Sequence, residues 1–99
     1  MVKFEQGDLI KVENLDNVYL VVSKNFFNET GMAMLCPLVQ YSFSDPLHVE
    51  IVHEDSKAFV LCEQVRMFDL KARGYSHQGR ISYSDIIDIT DAIQSIFDY

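Results

Sequence analysis

Two groups of polar residues in this sequence have side chains suited to acid–base chemistry. Glu63 directly follows an apolar run and lies three positions before Arg66, so its carboxylate is a candidate catalytic group with a cation nearby. His48 and Glu50 are two positions apart in an alternating stretch, which would put both on one face of a strand, and a histidine paired with a carboxylate is a common general base. The alternative is that Glu63 forms a surface ion pair and that His48 and Glu50 serve solubility.

Basic residues cluster after Glu63. Residues 66–80 hold four of the eight lysines and arginines, with Asp69 as the single acid among them: Arg66, Lys71, Arg73 and Arg80. The net charge of −7 repels nucleic acid in general, so this segment is the only one with a positive balance. We predict that it contacts an anionic partner, either single-stranded RNA or an acidic peptide. The alternative is that Arg66 and Arg73 pair with Asp69 and with the acidic C-terminal helix.

The cysteines and histidines do not suggest a metal site. Cys36 and Cys62 each lie in an apolar run, which predicts two buried thiols, with a disulfide as the alternative. Zinc is disfavoured because there is no C-x-x-C motif and the histidines, His48, His53 and His77, show no ligand spacing. We therefore expect neither a metal nor another cofactor.

A row of acids marks the C-terminal part of the chain: Asp85, Asp88, Asp91 and Asp98, with no basic residue from position 83 onward. Such a row is typical of a solvated helix face. The functional alternative is that it mimics phosphate and occupies the basic groove of a partner.

The elements that position these residues must form one unit. A chain of 99 residues has room for one core, so we predict a single domain over residues 1–99. No apolar run approaches the roughly 18 residues that span a bilayer, and the N-terminus has no signal-peptide pattern. We expect a cytoplasmic protein with no membrane contact.

Hydrophobic periodicity predicts five strands. Unbroken apolar runs at residues 18–22 and 32–36 predict central strands covered on both faces, and a similar run predicts a strand at residues 58–62. Alternating residues predict partly exposed strands at 9–15 and 47–52. Residues 25–31 are predicted to connect strands with one helical turn at most, and residues 66–80 form a mixed segment that ends in loops around Gly74 and Gly79.

From Ser82 the apolar period changes to that of a helix. The predicted apolar stripe comprises Ile86, Ile89, Ile93 and Ile96, widened by Ala92 and Phe97. Ser82 followed by Asp85 reads as a capping box, so the helix should begin near Ser82. The predicted fold class is α+β, mainly β: a small, strongly curved antiparallel sheet or barrel packed by a C-terminal amphipathic helix.

Three stretches, in this order, resemble the MazF/PemK family of mRNA interferase toxins: residues 7–10, residues 27–32 leading into 34–38, and residues 62–74. The third is the most specific, because the family shows an acidic residue followed by Gln, a short spacer and an ending like Ala72-Arg73-Gly74. The resemblance implies an SH3-like barrel of the CcdB/MazF fold. It also implies a twofold homodimer, a single-stranded RNA substrate and an antitoxin with an extended acidic tail.

The catalytic groups that the resemblance implies are mostly missing. The family's Arg-Pro pair corresponds to Asn17-Val18, its Thr corresponds to Val39, and an Arg found in some members corresponds to Leu61. Its glycine-rich loop before the second strand is reduced to residues 15–17. Of the family's acid–base set, only Glu63 remains.

These departures favour a toxin-like protein of a toxin-antitoxin system whose RNA cleavage is lost or reduced and which acts by binding a protein or RNA partner. The first alternative is an active, metal-independent endoribonuclease with a relocated site of Glu63, Arg66 and His48. The second is a non-enzymatic poison or adaptor like the gyrase-binding CcdB branch. The absence of Trp from this chain disfavours a gyrase target.

Overall fold

The structure is a computed structural model that describes residues 3–42 and 45–97. Its described residues form seven strands: β1 (Asp8–Val12), β2 (Val18–Val21), β3 (Met32–Val39), β4 (His48–His53), β5 (Ser56–Leu61), β6 (Arg66–Asp69) and β7 (Tyr75–Arg80). Two helices, α1 (Asn25–Asn28) and α2 (Tyr83–Ser95), and a 3-10 turn at Cys62–Gln64 complete the chain. The predicted fold class is confirmed, and the predicted connection at residues 25–31 contains the single turn of α1.

The strands form one antiparallel sheet in the order β4-β5-β3-β2-β1-β7, and β6 pairs with the first half of β3. The two apolar runs therefore became the central strands β2 and β3, as predicted. Pro37 lies in β3 between the residues that pair with β6 and those that pair with β5. At Pro37 the partner strand of β3 changes from β6 to β5. Proline has no N–H to donate, so it is tolerated at such a position within a strand.

Both faces of the central strands are covered, because successive residues of a strand point to opposite sides. One face packs against the helix α2, and its buried residues include Leu9, Leu20, Cys36, Leu38, Ile86 and Ile89. The other face packs against side chains from the chain's N-terminal part and from β6, and its buried residues include Phe4, Ile10, Tyr19, Val21, Leu35 and Phe68. Two cores on one curved sheet explain why β2 and β3 read as continuous apolar runs.

Two strands were missed by the sequence prediction. Residues 66–80 were expected to be mixed and loop-like, but they contain β6 and β7. β7 is the edge strand next to β1 and carries Ser, His, Gln and Gly rather than alternating apolar residues. β6 has four residues and depends on pairing with the distant β3. Neither strand has a local apolar signal, so the prediction of five strands was wrong.

Helix α2 begins where the sequence predicted. The Oγ atom of Ser82 accepts a hydrogen bond from the backbone N–H of Asp85 at 3.2 Å, which caps the helix. Ile86 and Ile89 are buried, but Ile96 and Phe97 are 42% and 76% exposed. The predicted apolar stripe is therefore wrong at its C-terminal end, because the core beside α2 extends only to Ile93. No helix in the described part of the chain is long and apolar enough to cross a bilayer.

Candidate functional site

An open groove of about 640 Å³ contains both positions at which the resemblance places catalytic groups. Asn17 directly precedes β2, and Val39 ends β3. The antiparallel register pairs Tyr19 with Pro37, so extending it by two residues sets Asn17 opposite Val39. The Nδ2 atom of Asn17 donates a hydrogen bond to the carbonyl oxygen of Leu38 at 3.1 Å. The two positions thus adjoin each other, and they present an amide and an isopropyl group.

The opposite wall of the groove is polar and was not found from the sequence. Its side chains come from the β4–β5 hairpin and from β7: His53, Glu54, Ser56, Lys57 and Gln78. They supply an imidazole, a carboxylate, a hydroxyl, an amine and an amide. These residues lie far from Asn17 in sequence, and no local motif marks them, so only the curvature of the sheet brings them together.

The backbone that holds this wall has three unusual features. Glu54 and Asp55 both have positive φ, 53° and 61°, as a two-residue turn of type I′ requires. Gly79 has φ of +152°, and a Cβ atom added there would lie 3.3 Å from Cε1 of His53. Between the pairs Leu9–Gly79 and Ile10–His77, Gln78 is an extra residue that forms a β-bulge. The outermost strands of the sheet, β4 and β7, therefore meet where His53 packs on Gly79.

Glu63 lies in the 3-10 turn after β5 and pairs with a histidine. Its Oε2 atom lies 3.0 Å from Nε2 of His48, and the Oγ atom of Ser42 lies 2.6 Å from Nδ1 of the same ring. Glu50, the carboxylate that the sequence pairs with His48, instead lies 3.9 Å from Nζ of Lys57. The structure thus pairs His48 with the carboxylate of Glu63 and not with that of Glu50. This pair does not line the groove around Asn17 and Val39.

The four predicted basic residues separate into two places. The guanidinium carbons of Arg66 and Arg73 lie 5.3 and 5.5 Å from the ring centroid of Phe68, within the range of cation–π contacts. Neither guanidinium pairs with a carboxylate of the described residues. Oδ1 of Asp69 instead accepts a hydrogen bond from the backbone N–H of Ala72. Lys71 lies in the turn between β6 and β7 and packs against Gly31.

Arg80 has a different environment. Its Nη1 atom lies 2.7 Å from Oδ1 of Asp8 and 3.9 Å from Oε2 of Glu5. Asp8 is buried and also lies 3.3 Å from Nε2 of His77. Since β3, β2 and β1 lie between β6 and β7 in the sheet, Arg80 does not join the cluster of Arg66 and Arg73.

Both cysteines are buried free thiols, as predicted. Burial raises the pKa of Cys36 to about 12, helped by the nearby Cys62 and Glu63. Burial also raises the pKa of Cys62 to about 11, with Glu63 as the next cause. These thiols are protonated at neutral pH, and they are poor nucleophiles and poor metal ligands.

The acids of α2 belong to its solvent-facing side. Asp88 and Asp91 are exposed and Asp85 is half-buried, whereas Asp98 lies outside the described residues. Within the described ranges, no group of three or more His, Cys, Asp or Glu side chains is arranged to hold a metal ion.

Comparison with known proteins gives consistent matches. Residues 7–97 match the family model described as PemK-like, MazF-like toxin of type II toxin-antitoxin system. The chain is 35% identical over 88 residues to the endoribonuclease toxin ChpB of Escherichia coli (strain K12), covering 72% of this chain and 74% of that protein. A chain of the MazE-MazF crystal structure (Form-I) from Deinococcus radiodurans superposes with a TM-score of 0.85 at 19% identity, covering 98% of both chains.

A second solved structure has the same fold. It is an endoribonuclease in complex with its cognate antitoxin from a mycobacterial species, with a TM-score of 0.82 at 16% identity, covering 96% of this chain and 95% of that one. At 16–19% identity, the solved structures show only that the chain has the same fold. Its family is shown by the family model and by the match to ChpB.

Proposed function

The chain belongs to the PemK-like, MazF-like toxin family of type II toxin-antitoxin systems, and on that premise we propose that it binds single-stranded RNA in the groove around Asn17 and Val39 and cleaves it only weakly. The proposal places it in the cytoplasm, where its RNA substrate is, as part of a toxin-antitoxin pair. The known relative ChpB is named an endoribonuclease toxin, which supports RNA as the substrate.

The proposal of reduced activity rests on the side chains of Asn17 and Val39 in the groove. The groove is retained, but its two family positions hold the amide of Asn17 and the isopropyl group of Val39. Cleavage of RNA without a metal needs cations or hydrogen-bond donors for the charged phosphorane, and removal of one such donor costs roughly 10²–10³ in rate. Val39 has no hydroxyl, and the amide of Asn17 is neutral and already donates to Leu38. The groove can accept a strand of RNA while lacking most of the family's transition-state stabilisation.

We assign the antitoxin contact to Arg66 and Arg73. Their guanidinium groups stack on Phe68 and are not paired with a described carboxylate, so both remain available to an acidic peptide. The solved neighbours include toxins in complex with antitoxins, which supports a partner of this kind. Lys71 adds a nearby positive charge, whereas Arg80 serves the buried carboxylate of Asp8.

The experiment compares this protein with ChpB on one long, mixed-sequence RNA, without metal and at equal enzyme concentration. We expect RNA binding by fluorescence anisotropy and a cleavage rate at least about 100-fold below that of ChpB. A rate equal to that of ChpB would contradict weak cleavage, and an absence of RNA binding would contradict the substrate.

The contact between His48 and Glu63 favours a second candidate, an active endoribonuclease with a relocated site. The 3.0 Å separation of Nε2 and Oε2 suits a base and its orienting carboxylate. In this case Glu63→Gln abolishes cleavage by the purified protein, whereas the matched variant Glu50→Gln, two residues from His48 on β4, does not. Equal cleavage by both variants would exclude the relocated site.

A further inference from the structure

We propose that His53 is the proton-transfer residue of the groove and that Lys57 is its phosphate-binding cation, so that the weak cleavage depends on the β4–β5 hairpin. This inference rests on the proposed function, because it requires RNA to lie in the groove around Asn17 and Val39.

One of the three histidines is placed to act in the groove. Among the three histidines of the sequence, His48 is bonded to Glu63 and Ser42, and His77 lies beside the buried carboxylate of Asp8. His53 is the one that lines the groove. Its side chain is 16% exposed, and its neighbouring carboxylate, Glu54, lies 3.9 Å from Nε2. The ring is therefore mostly enclosed yet open to a ligand in the groove.

The backbone around His53 holds its ring in place. Register pairs His53 with Ser56 across the type I′ turn, and the ring packs on the bare backbone of Gly79. The bulge at Gln78 adds an amide beside it. Bulges and residues with positive φ are concentrated next to active sites, where they direct side chains and limit their motion. Here a bulge, a glycine with positive φ and a strained turn converge on one imidazole.

Lys57 supplies the positive charge that a phosphate in the groove would meet. Lys57 is exposed, and its Nζ atom lies 3.9 Å from Glu50, which is a weak surface pair. It is therefore free to move to a phosphate oxygen. Asp16 and Glu54 also line the groove and oppose RNA binding, so the backbone phosphate must lie on the Lys57 side. Among the described residues that line the groove, one lysine stands against these two acids, which fits a weakly binding, slow enzyme.

The chemistry balances without any further reactant. Neutral His53 takes the proton from a ribose 2′-hydroxyl, and the 2′-oxygen bonds to phosphorus while the bond from phosphorus to the 5′-oxygen breaks. The imidazolium then gives its proton to the 5′-oxygen. Lys57 stabilises the negative charge of the phosphorane. The products are a 2′,3′-cyclic phosphate and a 5′-hydroxyl.

The test uses the full chain, a fluorescent single-stranded RNA without metal, and the variants His53→Gln and Lys57→Met. We expect His53→Gln to lower the single-turnover cleavage rate by about 100-fold or more while RNA affinity changes by less than about threefold. Lys57→Met should weaken both binding and its dependence on salt. The matched control is His77→Gln, an exposed histidine outside the groove, which should leave the rate unchanged.

A second measurement guards against misfolding. Added imidazole should restore part of the rate to His53→Ala, which a merely structural role of the ring would not allow. Unchanged cleavage by His53→Gln, or a wild-type protein that binds RNA and never cleaves it, would overturn the inference while leaving RNA binding in place. A protein that binds no RNA would overturn the proposed function itself.

Discussion

Asn17 uses its side-chain amide to join β2 to β3, because its Nδ2 atom donates to the carbonyl of Leu38 at 3.1 Å. Asn17, which the resemblance places at the family's arginine position, therefore has a structural contact in this chain. Val39, beside Asn17 in the groove, adds only apolar surface. At the scale of single residues, the proposed weak activity rests on what these two side chains cannot donate.

Restoring both groups should raise the activity. We expect Asn17→Arg with Val39→Thr to increase the cleavage rate by about 100-fold, since each new group can stabilise charge on the phosphorane. The same variant should lose about 1 kcal/mol of stability with the bond to Leu38. Cleavage of a labelled RNA and urea unfolding measure the two effects. The control is Asn17→Gln with Val39→Ile, and equal rates for both variants would contradict the role of these positions.

The buried thiols make stability depend on alkaline pH. The pKa of Cys36 is raised to about 12 and that of Cys62 to about 11, from 9.0 for an unperturbed thiol. Below pH 9 both thiols are protonated in the folded and in the unfolded protein, so the free energy of unfolding does not depend on their ionisation. As pH rises from 9 towards these values, the unfolded chain releases protons that the folded chain retains, so the free energy of unfolding falls, by roughly 1 kcal/mol per pH unit for each thiol.

Urea unfolding between pH 8 and 10.5 checks this prediction. Tyrosines and lysines also titrate in this range, so the control is the double variant Cys36→Ala with Cys62→Ala, in which the slope should be smaller. An identical slope in the double variant would show that the thiols do not cause it.

At the scale of elements, the sheet order determines the groove. β4 and β7 lie at opposite ends of the hydrogen-bonded order, yet curvature brings them together at His53 and Gly79. The type I′ turn between β4 and β5 and the bulge in β7 lie next to this contact, which closes the sheet between its two ends. A glycine suits this contact because a Cβ atom on β7 at this point would lie 3.3 Å from Cε1 of His53, so the ring would have to shift slightly.

Gly79→Ala tests the closure. The alanine would adopt φ of +152°, a region almost reserved for glycine, with its Cβ 3.3 Å from His53. We expect a loss of about 1–3 kcal/mol in stability. The matched control is Gly74→Ala, where φ is ordinary and the new Cβ meets the flexible end of the exposed Glu13 side chain. Thermal unfolding compares them, and an equal effect of the two variants would refute a special role for Gly79.

At the scale of the whole molecule, charge is separated. The exposed acids of α2 and the net charge of −7 keep most of the surface negative, while Arg66 and Arg73 lie together around Phe68. Attraction of an anionic partner should therefore be local to these two arginines and sensitive to salt.

Charge reversal separates binding from stability. Arg73→Glu should weaken the binding of an acidic antitoxin-like peptide and reduce its salt dependence with little change in stability. Arg80→Glu should instead lower the melting temperature, because Asp8 is buried and would lose its partner at 2.7 Å. Isothermal titration at two salt concentrations and thermal unfolding give both readouts. If Arg73→Glu affects only stability, the arginine cluster is structural.

The family relationship also predicts a twofold homodimer. Apolar surface is available for it, since Tyr83 and Phe97 are each 76% exposed and flank an apolar groove beside α2. Light scattering at micromolar concentration should give twice the chain mass of 11.4 kDa. A mass of 11.4 kDa over a wide dilution range would count against the dimer.

Local patterns in the sequence were sufficient for much of the architecture. Continuous apolar runs predicted β2 and β3 as central strands, and Ser82 with the period of Ile86 and Ile89 predicted α2 and its start. These features could be predicted because their causes are local: burial on both faces, a cap three residues from its partner, and helical spacing. The resemblance to the toxin family likewise depended on short motifs read along the chain.

Tertiary structure alone decided the candidate site. β6 and β7 form by pairing with strands far away in sequence, and Asn17, His53 and Gln78 meet only because the curved sheet brings its two ends together. The register of the β4–β5 pair brought His48 to the carboxylate of Glu63, and the strand order separated Arg80 from Arg66 and Arg73. Spacing along the chain contains no information on such contacts, because they depend on strand order, register and the closure at Gly79.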